Sequence, residues 1–370
     1  MKREHKIFIT FVFLLSLYIS AHEHFNADLK QDANSNTGNV LNAGLQMQGD
    51  GAAVLNARQN SIKGEDEAAL FKETNGDLGE GIENKTTPLS AEKSGAIKNN
   101  TIYKAQDGAR AAKRGFDGLN LNAKSVFVYD LTENKEIFAR DGEKQFPLAS
   151  LTKLMTAVAA ADNLSRNAVL EISEIALNEE GDNGFFAGEK WNAEDLINIM
   201  LVSSSNDAAR ALAENIEKAV YEKTGIRKKI QNIMNEKAFE LGMKQTMFFN
   251  PTGLDISRAS PGSFGSAKDV FVLLKYILEK NAGILSETKN KSFFAAPLNQ
   301  DSREFLNTNL LLDSVPEIMF GKTGYTDLSG GNLALVLRIK KTDYAVIILN
   351  SGFYSRFYDT EKIISEIKRN

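Results

Sequence analysis

Apolar residues are spread very unevenly along this chain. Ile7 to Ile19 is an almost unbroken apolar run behind Lys2, Arg3 and Lys6. A basic head with a short apolar body predicts a secretory signal over residues 1–21, because the body falls short of the roughly 20 apolar residues that a bilayer crossing asks for. Ile19 and Ala21 make a mediocre small-x-small cleavage site, so an uncleaved N-terminal membrane anchor is the alternative. From His22 to about Gly118, apolar residues stand singly among Gly, Asn, Ala, Asp, Glu and Lys, without a sustained period. Such a stretch does not repay its ordering entropy by burial, and residues 22–118 read as a flexible low-complexity spacer. A tether of that kind lets an exported domain work at a distance from the membrane.

Periodic patterning begins near Leu121 and marks a folded domain over 119–370. Ser125 to Asp130 alternates and is rich in Val, Phe and Tyr; with a turn at Leu131 to Lys135 and a returning strand at Glu136 to Arg140 it predicts an N-terminal hairpin. Leu151 to Ala161 then predicts a helix, with Ser150 at its start. Further helices are expected from a capping pair at Asn192 and Asp195 to about Ser203, over Asp207 to Ala219, over Ile230 to Phe239, and after the cap formed by Ser266 and Asp269. The period then changes. Met319 to Tyr325, Asn332 to Ile339 and Asp343 to Leu349 read as successive strands, and Phe357 to Lys368 as a last helix. Strands at both ends with helices between them predict an α+β fold of α/β/α layering, one antiparallel sheet closed by the N-terminal hairpin and covered by helices.

Composition narrows the chemistry. The 370 residues carry a formal net charge of -4, with 44 basic and 48 acidic side chains, which gives no field for nucleic acid. There are no cysteines, and the three histidines, His5, His22 and His24, all lie at the extreme N-terminus. Disulfides, thiolate catalysis and a histidine-based triad or metal centre in the folded part are excluded by inventory, so a hydrolytic serine there needs another base. Trp191, the only tryptophan, reads as a core anchor for the helix after it rather than a stacking platform.

Ser150-Leu151-Thr152-Lys153 supplies such a base. Residues three apart on a helix share a face, so the Lys153 amine meets the Ser150 hydroxyl. To accept a proton, Lys153 needs its pKa lowered by burial or by another positive charge, for which Lys322 is a candidate. A serine three residues before a lysine is common, and alone it carries little weight. Two further segments add to it: Ser204-Ser205-Asn206-Asp207 between two predicted helices, and Lys322-Thr323-Gly324 on a predicted edge strand. Serine-x-x-lysine, serine-x-asparagine and lysine-threonine-glycine in that order are the signature of penicillin-binding proteins and related β-lactamases.

From about Ala123 to Ser351 the chain resembles the low-molecular-weight D-alanyl-D-alanine carboxypeptidases of bacterial cell walls, serine peptidases of the wider β-lactamase and penicillin-binding superfamily. The blocks Pro147 to Ala157, Gly188 to Trp191, Leu201 to Ala209, Asn250 to Asp255, Asn307 to Asn309 and Gly321 to Thr326 carry the likeness. The resemblance implies a β-lactamase/transpeptidase-like fold with a five-stranded sheet and an all-helical subregion. It also implies an extracytoplasmic enzyme that removes the terminal D-alanine from peptidoglycan stem peptides without a metal or cofactor, and that β-lactams acylate. By that resemblance, Ser150 attacks, Lys153 takes its proton and Ser204 relays a proton to the leaving amine. Asn206 holds the substrate amide and orients Lys153, and Lys322 with Thr323 holds the terminal carboxylate. Gly324 leaves room for the substrate, and the amides of Ser150 and Tyr325 cradle the oxyanion. Asp207, Asn307 and Asn309 are expected to be structural.

Two departures stand out. The long spacer is unlike the family's compact starts, and no residues remain for its second, β-rich domain or C-terminal amphipathic helix, which leaves an N-terminal tether as the membrane link. The rivals are a D,D-endopeptidase, a class A-like β-lactamase and a non-catalytic peptidoglycan-binding module. The lactamase would need a deacylating glutamate beyond Asn206, where no Glu-x-x-Leu-Asn pattern occurs and Glu214 is a poor substitute.

Overall fold

The chain divides into two units, Met1–Ser90 and Ala91–Asn370. The computed structural model describes residues 115–369 apart from 182 and 183, all within the second unit. The expected export segment and all but the last four residues of the expected spacer lie outside the described residues. Among those four, Phe116 is 1% exposed and stacks on Phe138 with ring centroids 5.3 Å apart, so the fold begins earlier than residue 119. One aromatic in a polar run has no period by which to announce itself.

In chain order, β1 (Ser125–Asp130) and β2 (Lys135–Arg140) form the N-terminal hairpin. Short β3 (Phe146–Pro147) leads into a 3₁₀ turn at Ala149–Thr152 and then α1 (Lys153–Asn163). β4 (Val169–Glu171) pairs with β5 (Lys190–Asn192), ahead of α2 (Ala193–Val202), α3 (Asn206–Thr224) and α4 (Ile230–Glu240). β6 (Met247–Phe248) and β7 (Ser263–Gly265) join β3 in a small sheet, and α5 (Ala267–Asn281) follows. β8 (Ser292–Ala295) and β9 (Arg303–Leu306) form a second hairpin. β10 (Ile318–Thr326), β11 (Gly330–Ile339), β12 (Thr342–Ser351) and α6 (Ser355–Arg369) complete the chain.

The main sheet is antiparallel with order β10-β11-β12-β1-β2, so the first hairpin closes onto the last strands, with Phe127 opposite Ile347. Both faces are buried, and successive residues go to opposite cores as the strand period requires. On one face Phe127, Ala334, Val336, Ala345, Ile347 and Leu349 pack with α5 and the helical region built around α1, α2 and α3. On the other, Val126, Val128, Leu335, Leu337, Val346 and Ile348 pack against Phe357, Ile363, Ile364 and Ile367 of α6. This is the expected α/β/α layering with an all-helical subregion, and it makes β10 an edge strand open to the cleft.

Local chemistry sets the helix starts. Ser205 Oγ accepts from Ala208 N at 3.0 Å to open α3, and Ser266 Oγ accepts from Asp269 N at 3.1 Å to open α5. The expected cap at Asn192 differs: Asn192 is the N-cap residue of α2 but makes no capping bond, its Nδ2 lying 3.4 Å from Asp195 Oδ2 instead. The short strands β3 to β9 went unpredicted because segments of two to four residues are too brief to show a period.

Candidate active site

Ser150 sits in the 3₁₀ turn just before α1, rather than on the helix proper. The residue ahead of it, Ala149, has φ 48°, a left-handed conformation strained for a side-chain-bearing residue. A Cβ on Gly253 (φ 79°) would lie 1.9 Å from Ala149 O, so only glycine lets the Asn250-Pro251-Thr252-Gly253 loop close over this turn. Gly324 meets the turn from the sheet side: a Cβ there would come 3.0 Å from Leu148 O and 3.2 Å from Ser150 N. The glycine therefore serves the approach of β10 to the serine, a different reason from the substrate clearance expected.

One turn on, Lys153 is fully buried, and its Nζ lies 3.0 Å from Ser150 Oγ, 2.7 Å from Asn206 Oδ1 and 2.7 Å from Thr252 O. The last two atoms can only accept. A neutral amine has two hydrogens and one lone pair, so the two acceptors take the hydrogens and leave the lone pair to Ser150. Burial pushes the Lys153 amine down to about 7, against the pull of Glu179. Of the two depressing influences expected, burial is the one that acts on Lys153, while the repulsion between the two lysines falls on Lys322.

Across the cleft, Lys322 is 2% exposed and donates to Ser204 Oγ and to Thr323 O, both at 2.9 Å. Burial holds its pKa well below the ordinary lysine value, and the charges of Lys153 and Arg356 add to that depression. Ser204 (φ 63°) stands on the bend before α3, and its hydroxyl reaches β10. Thr323 Oγ1 lies 2.5 Å from Thr308 Oγ1. Tyr325, next in β10, is half exposed, and its ring meets Phe353 edge-on at 4.9 Å. The fold thus brings two hydrogen-bonded sets, Ser150–Lys153–Asn206 and Ser204–Lys322, to one cleft, with Thr323, Gly324 and Tyr325 along its strand wall.

Trp191 is fully buried against Phe185 and Phe305 and donates to Glu189 Oε2 at 3.2 Å, as befits a core anchor. Asn307 Nδ2 binds Thr288 O and Asn290 O, and Asn309 Oδ1 accepts from Leu311 N, so both order their loop. Asp207 lies in the first turn of α3, where Ser205 rather than Asp207 supplies the cap. Glu214 is committed to Ser173 Oγ at 2.7 Å and Arg210 Nε at 3.2 Å.

Sequence reasoning missed four participants. Thr308 braces Thr323, although its block was in view. Asp255 accepts from Thr326 Oγ1 at 3.0 Å and Leu328 N at 3.2 Å, fixing the end of β10. The Glu179–Glu180 segment comes over the helical wall: Asn206 Nδ2 donates to Glu180 O at 2.6 Å, and burial raises the pKa of Glu179 against the pull of Arg210 and Lys153. Arg356 reaches Gly324 O from α6. None has a spacing signal, since tertiary folding alone brings them to the motifs.

Among the described residues no helix is long and apolar enough to cross a membrane, and no group of three or more His, Asp or Glu side chains is placed to hold a metal ion.

Residues 109–352 match the family model described as D-alanyl-D-alanine carboxypeptidase. A D-alanyl-D-alanine endopeptidase of Haemophilus influenzae is 34% identical over 243 residues, covering 62% of this chain and 76% of that one. The D-alanyl-D-alanine carboxypeptidase DacF of Bacillus subtilis is 30% identical over 235 residues, 61% of this chain and 55% of the relative, so the match spans just over half of that protein's length. Among solved structures, penicillin-binding protein D2 from Listeria monocytogenes in its cefotaxime-bound form superposes with a TM-score of 0.57 at 27% identity, over 67% of this chain and 98% of that one.

Proposed function

This chain belongs to the D-alanyl-D-alanine carboxypeptidase family of serine peptidases, and from that premise we propose how its cleft removes the terminal D-alanine from a peptidoglycan stem peptide. Ser150 Oγ attacks the carbonyl carbon between the two terminal D-alanines while its proton passes to the Lys153 lone pair. The observation that carries this assignment is the Lys153 amine held between two acceptor-only partners and Ser150. The oxyanion sits between the amides of Ser150 and Tyr325, which the close approach of Gly324 to Ser150 N makes neighbours. Lys322 and the Thr323 hydroxyl hold the terminal carboxylate by charge-assisted bonds. The C–N bond then breaks as the departing D-alanine amine takes the Ser204 hydroxyl proton, and Ser204 regains one from the Lys153 ammonium, whose lone pair is thereby restored. Water attacks the ester as Lys153 takes its proton, and Lys153 hands that proton to Ser150 Oγ as the acyl C–O bond breaks, freeing the shortened peptide and restoring the starting state.

β-Lactams enter the same cleft as acylating inhibitors, a reading supported by the cefotaxime-bound relative. The enzyme works outside the cytoplasmic membrane, where peptidoglycan lies. Residues 1–21 act as the export signal or anchor, and the residues from 22 to the start of the fold just before Phe116 act as the tether. The test is release of D-alanine from a synthetic stem pentapeptide. Stoichiometric release that Ser150→Ala abolishes supports the assignment, and no release sinks it.

A second reading, cleavage of D-alanine cross-links within peptidoglycan, draws on the Haemophilus influenzae relative, which is named an endopeptidase. The same acyl transfer serves both. Cross-linked dimers separate them, because an endopeptidase converts dimer to monomer whereas a carboxypeptidase leaves it intact.

A further inference from the structure

Arg356 is 4% exposed at the start of α6, with its guanidinium held between the rings of Phe353 and Phe357, 4.7 Å from each centroid. Its Nη1 donates to Gly324 O at 2.8 Å, and its Nε has no hydrogen-bond partner among the described residues. Burial lowers its pKa to about 10, against the pull of Tyr325; Lys322 is a cationic neighbour, and among the described residues no carboxylate forms an ion pair with it. A buried guanidinium without a countercharge is costly, and such a cation calls for a use beyond packing.

The peptide unit it binds is an unusual one for this protein. Gly324 C=O and Tyr325 N–H belong to the same peptide plane, and in a trans peptide they point in opposite directions. A donor fixed on the carbonyl from the α6 side therefore aims the Tyr325 N–H away from α6. A cation on the carbonyl also polarises the amide, which makes the opposite N–H a stronger donor. The neighbouring Gly324 stands within 3.2 Å of Ser150 N, as measured from the Cβ that it lacks, so the other oxyanion amide is close at hand.

We infer that Arg356 is a positioning residue for the reaction: through the Gly324 carbonyl it holds and polarises the Tyr325 amide as an oxyanion donor. This rests on the reading of Ser150 as the acylated serine and of Tyr325 N–H as half of the oxyanion hole. The Phe353–Phe357 sandwich lets the guanidinium stay cationic while buried, because ring faces attract it without competing for the Gly324 carbonyl.

The test compares wild type, Arg356→Met and Arg356→Lys for benzylpenicillin acylation and for the infrared carbonyl stretch of the resulting ester. A weakened donor raises that stretch, and mere loosening of the fold does not. Arg356→Met is expected to slow the acylation step about 10- to 100-fold, below the loss for deleting an oxyanion donor outright. The non-covalent dissociation constant should stay within about threefold, and the ester stretch should move to higher wavenumber. Arg356→Lys keeps the charge but offers a point donor in place of a planar fork, so an intermediate shift is expected. Should the Met variant not fold, the Lys variant carries the same readout. An unchanged stretch in whichever variant folds, or a rate loss that only tracks melting temperature, overturns the inference. Absence of any ester band in wild type would refute the proposed function itself, and this inference with it.

Discussion

The cleft has two walls, each with a buried lysine, and the two differ in the number of acceptors and in the charges around them. On the helical wall, Lys153 faces Asn206 Oδ1 and Thr252 O, groups that can only accept, and burial brings it to about 7. On the strand wall, Lys322 bonds a hydroxyl and a carbonyl, with Arg356 and Lys153 as cationic neighbours and burial as the main depressing influence. The first environment tolerates an amine with a spare lone pair. The second favours the arrival of an anion, which would offset the repulsion among its cations. One residue type therefore serves as a base on one side and as an anion receptor on the other, and the neighbours decide which.

The comparison breaks most readily at Lys153. Lys153→Met should slow acylation by benzylpenicillin about 10²- to 10⁴-fold, the range for loss of a general base, with the fold intact by circular dichroism. A loss under tenfold would move the base elsewhere. The next effect is of pH. As pH falls through about 7, Lys153 gains a proton and loses its lone pair, so acylation in wild type should drop about 100-fold between pH 9 and pH 5. That limb should vanish in Lys153→Met.

Lys322→Met sharpens the other wall. It should weaken turnover of a peptide ending in a free carboxylate about 10- to 100-fold, the worth of a charge-assisted hydrogen bond. A peptide ending in an amide should lose far less, and equal losses for both would place Lys322 in the proton path instead. The smallest effect is expected of Thr308→Val, which removes the partner of Thr323 at 2.5 Å. About a fivefold rise in KM, with kcat little changed, fits a hydrogen bond of about 1 kcal/mol that steadies a binding hydroxyl.

The two walls also differ in how far the sequence discloses them. Ser150 and Lys153 are three residues apart, so helical geometry alone pairs them, and the order of the three short motifs points to the rest. The alternation in β1 and the apolar runs in β11 and β12 likewise revealed a sheet, those runs being continuous because each strand sends alternate residues into two cores. The partners that set the electrostatics are another matter. Arg356 reaches Gly324 over 32 positions, Thr252 reaches Lys153 over 99, and no period or spacing links either pair. For the same reason the sequence leaves burial and a neighbouring charge as alternative causes of the low Lys153 pKa, and the structure selects burial.

The central claim is that Ser150 carries the acyl group, and intact-protein mass spectrometry after benzylpenicillin tests it most directly. Wild type should gain the mass of one penicilloyl group, mapped to the peptide containing Ser150, and Ser150→Ala should gain none. A gain in both proteins, or in neither, would contradict the account.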